Sequence, residues 1–146
     1  MVMKRLAVIC FLGVAMVSTF AVADTSPRKV FECSVNQTMN LSISIEQGKG
    51  ELIFNESIDN RSRLSQWIRP QDYHVEHYHR ALVDEKSLEF SIGERVILVS
   101  EYFSEEFNEV EKILSVTLRE PEQTQYYECD EGSMSNLALL FHESTE

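Results

Sequence analysis

Three of the four histidines of this chain fall within eight residues, Tyr73-His74-Val75-Glu76-His77-Tyr78-His79-Arg80. Imidazoles at such density serve as metal ligands, general bases or surface groups that titrate near neutrality. Spacing decides among these roles. On a strand, alternate side chains share a face. His77 and His79 then stand with Tyr73 and Val75, and His74 stands with Glu76, Tyr78 and Arg80. Either face offers two ligands, whereas structural zinc takes four and catalytic zinc three plus a water. A third would have to be His142 or a distant carboxylate, and the H-x-E-H-x-H spacing matches no zinc signature. The expectation is therefore no cofactor, with His74, His77 and His79 held as candidate ligands of a metal-binding alternative. The simpler reading is a sheet segment whose tyrosines pack across strands and whose surface gains positive charge below about pH 6.5.

No other constellation for catalysis is present in the sequence. It has no glycine-rich phosphate loop and no serine flanked by the glycines of a nucleophile elbow. Paired carboxylates are so frequent that they discriminate nothing. These residues point to a binding protein rather than an enzyme.

The stretch that suits binding is Ser-Glu-Tyr-Phe-Ser-Glu-Glu-Phe-Asn-Glu-Val-Glu-Lys, residues 100–112. It sets Glu101, Glu105, Glu106 and Glu109 around Tyr102, Phe103 and Phe107. If the flanking segments pair as a hairpin, residues 103–110 form its loop and Phe107 sits at an acidic tip. A rigid aromatic supplies buried area to a partner, and surrounding carboxylates supply steering and specificity. The competing reading makes Phe103, Phe107, Val110 and Leu114 a helical stripe packed on the core.

Composition narrows the partner. Residues 1–23 read as a secretory signal peptide: Lys4 and Arg5, an apolar run, then Ala21-Val22-Ala23. No later stretch is apolar enough to span a bilayer. The expected mature chain, residues 24–146, is a single domain of 123 residues with 11 basic and 24 acidic side chains, a net charge of −13. Residues 100–146 hold 12 of the acids and only Lys112 and Arg119 as bases. Nucleic acid and anionic membranes repel such a field, and a basic protein is drawn to it. Once the leader has taken Cys10, Cys33 and Cys129 remain, an even count in an oxidising compartment, and one disulfide is expected. It closes a loop of about 95 residues and contributes roughly 4–5 kcal/mol on the chain-entropy account.

The elements that position these residues are mostly strands. Phe31, Cys33 and Val35 alternate with polar residues, as do Met39, Leu41, Ile43 and Ile45. Gly48-Lys49-Gly50 turns the chain toward Leu52 and Phe54, a hairpin signal. Residues 55–72 break the period: Leu64, Trp67 and Ile68 fall at i, i+3, i+4, and Asp59 or Asn60 is placed to cap a short helix ending before Pro70. A long ordered connection is the other reading. Alternation resumes over 73–83, with a turn at Asp84-Glu85-Lys86, then over 87–92, 95–103, 113–119 and 126–130. The tail, 133–141, reads as a short helix or an added strand. The fold class expected is mainly β: an antiparallel β-sandwich or barrel with one short helix and one disulfide.

Phe31-Glu32-Cys33 near the start echoes Tyr127-Glu128-Cys129 near the end, so a bridge would staple the first and last strands and remove open sheet edges. With the leader ending at Ala23 and the acidic loop, this layout resembles the small periplasmic lysozyme inhibitors and the immunity proteins of type VI secretion that block peptidoglycan hydrolases. The resemblance implies a periplasmic protein whose acidic aromatic loop (Glu101, Tyr102, Phe103, Glu105, Glu106, Phe107, Glu109) enters the cleft of a basic, lysozyme-like cell-wall hydrolase. The alternatives are a small-ligand carrier with a β-barrel pocket and a metal-binding protein using the histidine run. Arg61, Arg63, Arg69 and Arg80 in the first half oppose the acidic second half, so a homodimer is also compatible.

Overall fold

The computed structural model describes residues 26–36 and 40–141. The expected leader, Met39 and His142 lie outside the described residues.

Two consecutive meanders build the molecule. Strands β1 (Arg28–Val35), β2 (Leu41–Gly48), β3 (Glu51–Ile58) and β4 (Arg61–Ile68) make the first. Strands β5 (Tyr73–Arg80), β6 (Val83–Ile92), β7 (Arg95–Ser104), β8 (Glu111–Arg119) and β9 (Thr124–Glu128) make the second. A short β10 (Met134–Ser135) returns beside β1, giving two five-stranded antiparallel sheets in the orders β10-β1-β2-β3-β4 and β5-β6-β7-β8-β9. Helical structure among the described residues is limited to 3-10 turns at Pro70–Asp72, Glu106–Asn108 and Leu137–Leu140. The tail thus contains both forms expected for it, one after the other.

The turns are set by local chemistry. Lys49 and Gly50 take positive φ between Gly48 and Glu51, the two-residue geometry that follows the twist of a hairpin. Asp59 and Asn60 do the same, at φ 51° and 61°, between Ile58 and Arg61. They turn a hairpin and cap no helix. The segment expected to be helical is strand β4, in which Leu64 and Ile68 point inward and Trp67 points to solvent, 59% exposed. A second correction concerns the turn placed at Asp84-Glu85-Lys86. The chain reverses at Ala81 and Leu82, and 84–86 lie within β6.

Inward-facing side chains of both sheets make one core. Phe31, Cys33, Ile43, Ile45, Leu52 and Phe54 face Leu88, Phe90, Ile97, Val99 and Val116, all nearly inaccessible. Phe54 and Phe90 meet edge to face across the sheets, ring centres 5.3 Å apart. The 3-10 turn at Leu137–Leu140 buries Leu137 and Leu140 against this core.

Two polar devices hold the sheets in register. Glu56, inward-facing on β3, receives Arg95 from the start of β7 through Nη2–Oε2 at 2.7 Å and Nη1–Oε1 at 3.4 Å. Only 8% of Glu56 is exposed, so this fork is almost withdrawn from water. Removing one partner strands the other. Glu56→Ala is expected to lower the unfolding free energy by about 2 kcal/mol in urea titration, with Arg95→Ala close to it.

Two strands from Glu56 in the same cross-strand row, Cys33 of β1 is bonded to Cys129, just past β9, with Cα atoms 5.2 Å apart. There the backbone passes from one sheet to the other. The Cys129 amide donates to the Leu114 carbonyl at 2.8 Å, and the Asp130 amide donates to the Ser34 carbonyl at 2.8 Å. Asp130 Oδ2 accepts from the Asn36 amide, and Ser133 Oγ from the Ser34 amide. The bridge joins the sheets, yet β10, β4, β5 and β9 remain edges, and two of them, β4 and β5, are charged. Those two carry Arg61, Arg63, His74, Glu76 and Arg80, charges that discourage further strand pairing.

Candidate functional site

β7 and β8 pair up to Ser104 and Glu111, leaving a six-residue loop, 105–110, at the sheet end. The helical stripe does not form: Phe103 and Leu114 are half-buried strand residues, and Phe107 and Val110 stand in solvent, 91% and 72% exposed. The loop is tied down on both sides. The Glu105 amide donates to the Leu82 carbonyl of the neighbouring β5–β6 turn at 2.9 Å. The Glu106 amide donates to Ser104 Oγ, and Arg80 Nη2 donates to Glu106 Oε1 at 2.8 Å.

Within these anchors, Phe107 (φ 61°, ψ 28°) and Asn108 (φ 60°) are both left-handed. Asparagine tolerates this conformation, but a bulky side chain is disfavoured in it by about 1–2 kcal/mol. Phe107 gains nothing from packing in return. Strain held where a ring is pushed into solvent is a mark of a contact residue.

The pleat separates the seven candidates into three groups. Glu105, Glu106, Phe107 and Glu109 belong to the loop. Tyr102 faces outward at its base. Glu101 and Phe103 point to the inner side, opposite Lys86 and Asp84 respectively, and are not part of the tip. Sequence reasoning missed Leu82, 49% exposed at the turn bonded to Glu105, which widens the apolar tip formed by Phe107 and Val110. Two nonadjacent hairpin turns meet there, a neighbourhood that only strand order reveals.

Behind the tip, the outer face of the second sheet carries a depression of about 470 Å³ lined by Glu76, Tyr78, Glu85, Ser87, Glu89 and Leu98. Of its lining residues, Ser87 begins a cross-strand serine row, Ser87, Ser100 and Ser115, that runs between Glu76 and Glu128. Ser100 Oγ donates to Glu85 Oε1 at 3.0 Å. Glu85 lies opposite Tyr102, so acidic trough and apolar tip adjoin. A long cationic side chain fits such a surface: three carboxylates for its head and tyrosine for its stem.

The histidine run divides as strand geometry requires. His74 lies on the outer face opposite Glu89. His77 and His79 lie on the inner face beyond the core, opposite Lys86 and Asp84. Asp84 Oδ1 is 2.5 Å from His77 Nε2 and 3.2 Å from His79 Nδ1, and Lys86 Nζ donates to Oδ2 at 2.5 Å. The Lys86 bond, then that of His77, hold the Asp84 carboxyl down to a pKa of about 2, against a smaller opposing effect of burial. Asp84 is thus ionised at any ordinary pH. The distant carboxylate that the two histidines lacked in the sequence is supplied by the neighbouring strand.

No helix among the described residues is long and apolar enough to cross a membrane. No family model, curated protein or solved structure matches this chain.

Proposed function

We propose that this chain is an exported, non-enzymatic binding protein that captures a basic protein partner through the tip at residues 105–110 and the acidic trough behind it. The observation that carries this reading is Phe107, held in a strained conformation and almost fully exposed between Glu105, Glu106 and Glu109. The ring would enter a cleft of the partner while the carboxylates meet its cationic rim. The disulfide, which fits an oxidising compartment, supports a periplasmic location. A lysozyme-like peptidoglycan hydrolase suits the chemistry: such a partner combines a deep groove with a basic surface, and an inhibitor of it needs only to fill that groove. The small-ligand carrier has less support, because Phe31, Phe54, Phe90 and Leu137 belong to one continuous contact cluster between the sheets.

The test is a turbidity assay of cell-wall lysis by basic peptidoglycan hydrolases in the presence of the purified protein, paired with surface binding at several salt concentrations. Inhibition at micromolar protein or below is expected. Glu105→Gln with Glu109→Gln should slow association about tenfold at low salt and flatten the salt dependence. Absence of both inhibition and binding at micromolar concentration would count decisively against the reading.

A further inference from the structure

We propose that His77, His79 and Asp84 form a binding site for a divalent transition metal, with zinc as the probe ion. The three side chains come from adjacent strands β5 and β6 and offer ligand atoms that all lie within 4.8 Å of one another. Donors around a tetrahedral zinc at 2.0–2.1 Å are about 3.3 Å apart. The pairs at Asp84 already stand at 2.5 and 3.2 Å, so small side-chain rotations bring the set to that spacing. Exposure permits these rotations: the His77 and His79 side chains are 39% and 69% accessible.

The surroundings favour a bound ion over a simple hydrogen-bonded pair. Both imidazoles address one oxygen, Oδ1, so the two rings already converge on the point that an ion would occupy. Lys86 occupies Oδ2 and fixes the carboxylate plane, the part that outer hydrogen bonds play around metal ligands. The Phe141 ring stands 5.5 Å from the His77 ring and restricts its swing. Two imidazoles and one carboxylate select zinc, copper or nickel over magnesium or calcium, which prefer all-oxygen shells. On binding, each imidazole presents a lone pair from the nitrogen now facing Asp84 and keeps its proton on the other nitrogen. Three protein donors leave a position open for water or for a donor from another molecule. The Lys86 ammonium weakens attraction for a dication, so affinity in the micromolar range is expected.

The site is independent of the partner reading, and its test uses no partner. Tag-free, disulfide-bonded protein is stripped with chelator and titrated with zinc chloride by calorimetry, and thermal unfolding is followed with and without zinc. One zinc per chain should bind, with the unfolding temperature raised by several degrees. His79→Ala and Asp84→Asn should each weaken binding by about tenfold or more. His74→Ala, on the opposite face of the same strand, should leave binding unchanged. No heat and no thermal shift at millimolar zinc would overturn the proposal. So would a loss in His74→Ala equal to that in His79→Ala, which would indicate nonspecific capture by exposed imidazoles.

Discussion

Phe107→Gly is expected to raise the stability of the free protein by about 1 kcal/mol while weakening capture of the proposed basic partner by about 30-fold or more. The two effects have separate origins. Glycine occupies φ near +60° without the clash that a Cβ makes with the following carbonyl, and Phe107 has almost no packing to lose. Stability therefore rises, less the extra freedom that glycine gives the unfolded chain. Binding falls because the exposed ring is the anchor in the proposed mode of capture. Phe107→Ala keeps the strained backbone and removes the ring, so it should lose binding with little gain in stability. Urea unfolding of the free protein and surface binding of the partner measure both quantities. A stabilised Phe107→Gly that binds as tightly as the parent would place the contact elsewhere.

Joint replacement of Cys33 and Cys129 by alanine is expected to lower the unfolding free energy by about 4 kcal/mol. The bridge closes a separation of 96 residues, and so confines most of the unfolded chain. The corner hydrogen bonds of Leu114, Ser34 and Asn36 stay in place but must then form without a tether. Oxidised and reduced parent protein, compared in urea at neutral pH, isolate the covalent contribution from the small cavity left at Cys33, which is 1% exposed. A difference under about 1 kcal/mol would mean that packing alone secures the corner.

Where side chains alternate between core and water, the strands were legible from the chain itself. The apolar alternations of β1, β2, β6 and β8, such as Leu41-Ile43-Ile45 and Leu88-Phe90, are core-facing rows, because each sheet has one wet face. The disulfide followed from the cysteine count. Errors arose where one residue type serves two geometries. Asp59 and Asn60 suit a helix cap and a left-handed hairpin turn equally, and Leu64, Trp67 and Ile68 mimic a helical stripe because an edge strand leaves Trp67 in solvent. Ala81 and Leu82 turn the chain at negative φ, so neither glycine nor asparagine marks the place. The charged Asp84-Glu85-Lys86 has the composition of a turn but lies within β6. A turn placed there, three residues late, removes Asp84 from the sheet and hides the third donor beside His77 and His79. The binding tip was legible in part: residue types gave the acidic aromatic loop, but the contribution of Leu82 depends on strand order, and the strain at Phe107 depends on backbone angles.

The covalent link between the first strand and the end of the ninth also fixes an order of events during biogenesis. Cys33 precedes its mate by 96 residues, so its thiol stays unmatched until synthesis has reached Cys129. A chain interrupted before residue 129 leaves the Cys33 sulfhydryl without this mate, open to oxidoreductases and to mixed adducts, whereas a chain that includes Cys129 conceals it. Closure of the ring thereby doubles as a chemical record that synthesis has passed residue 129, readable by any thiol-directed quality control.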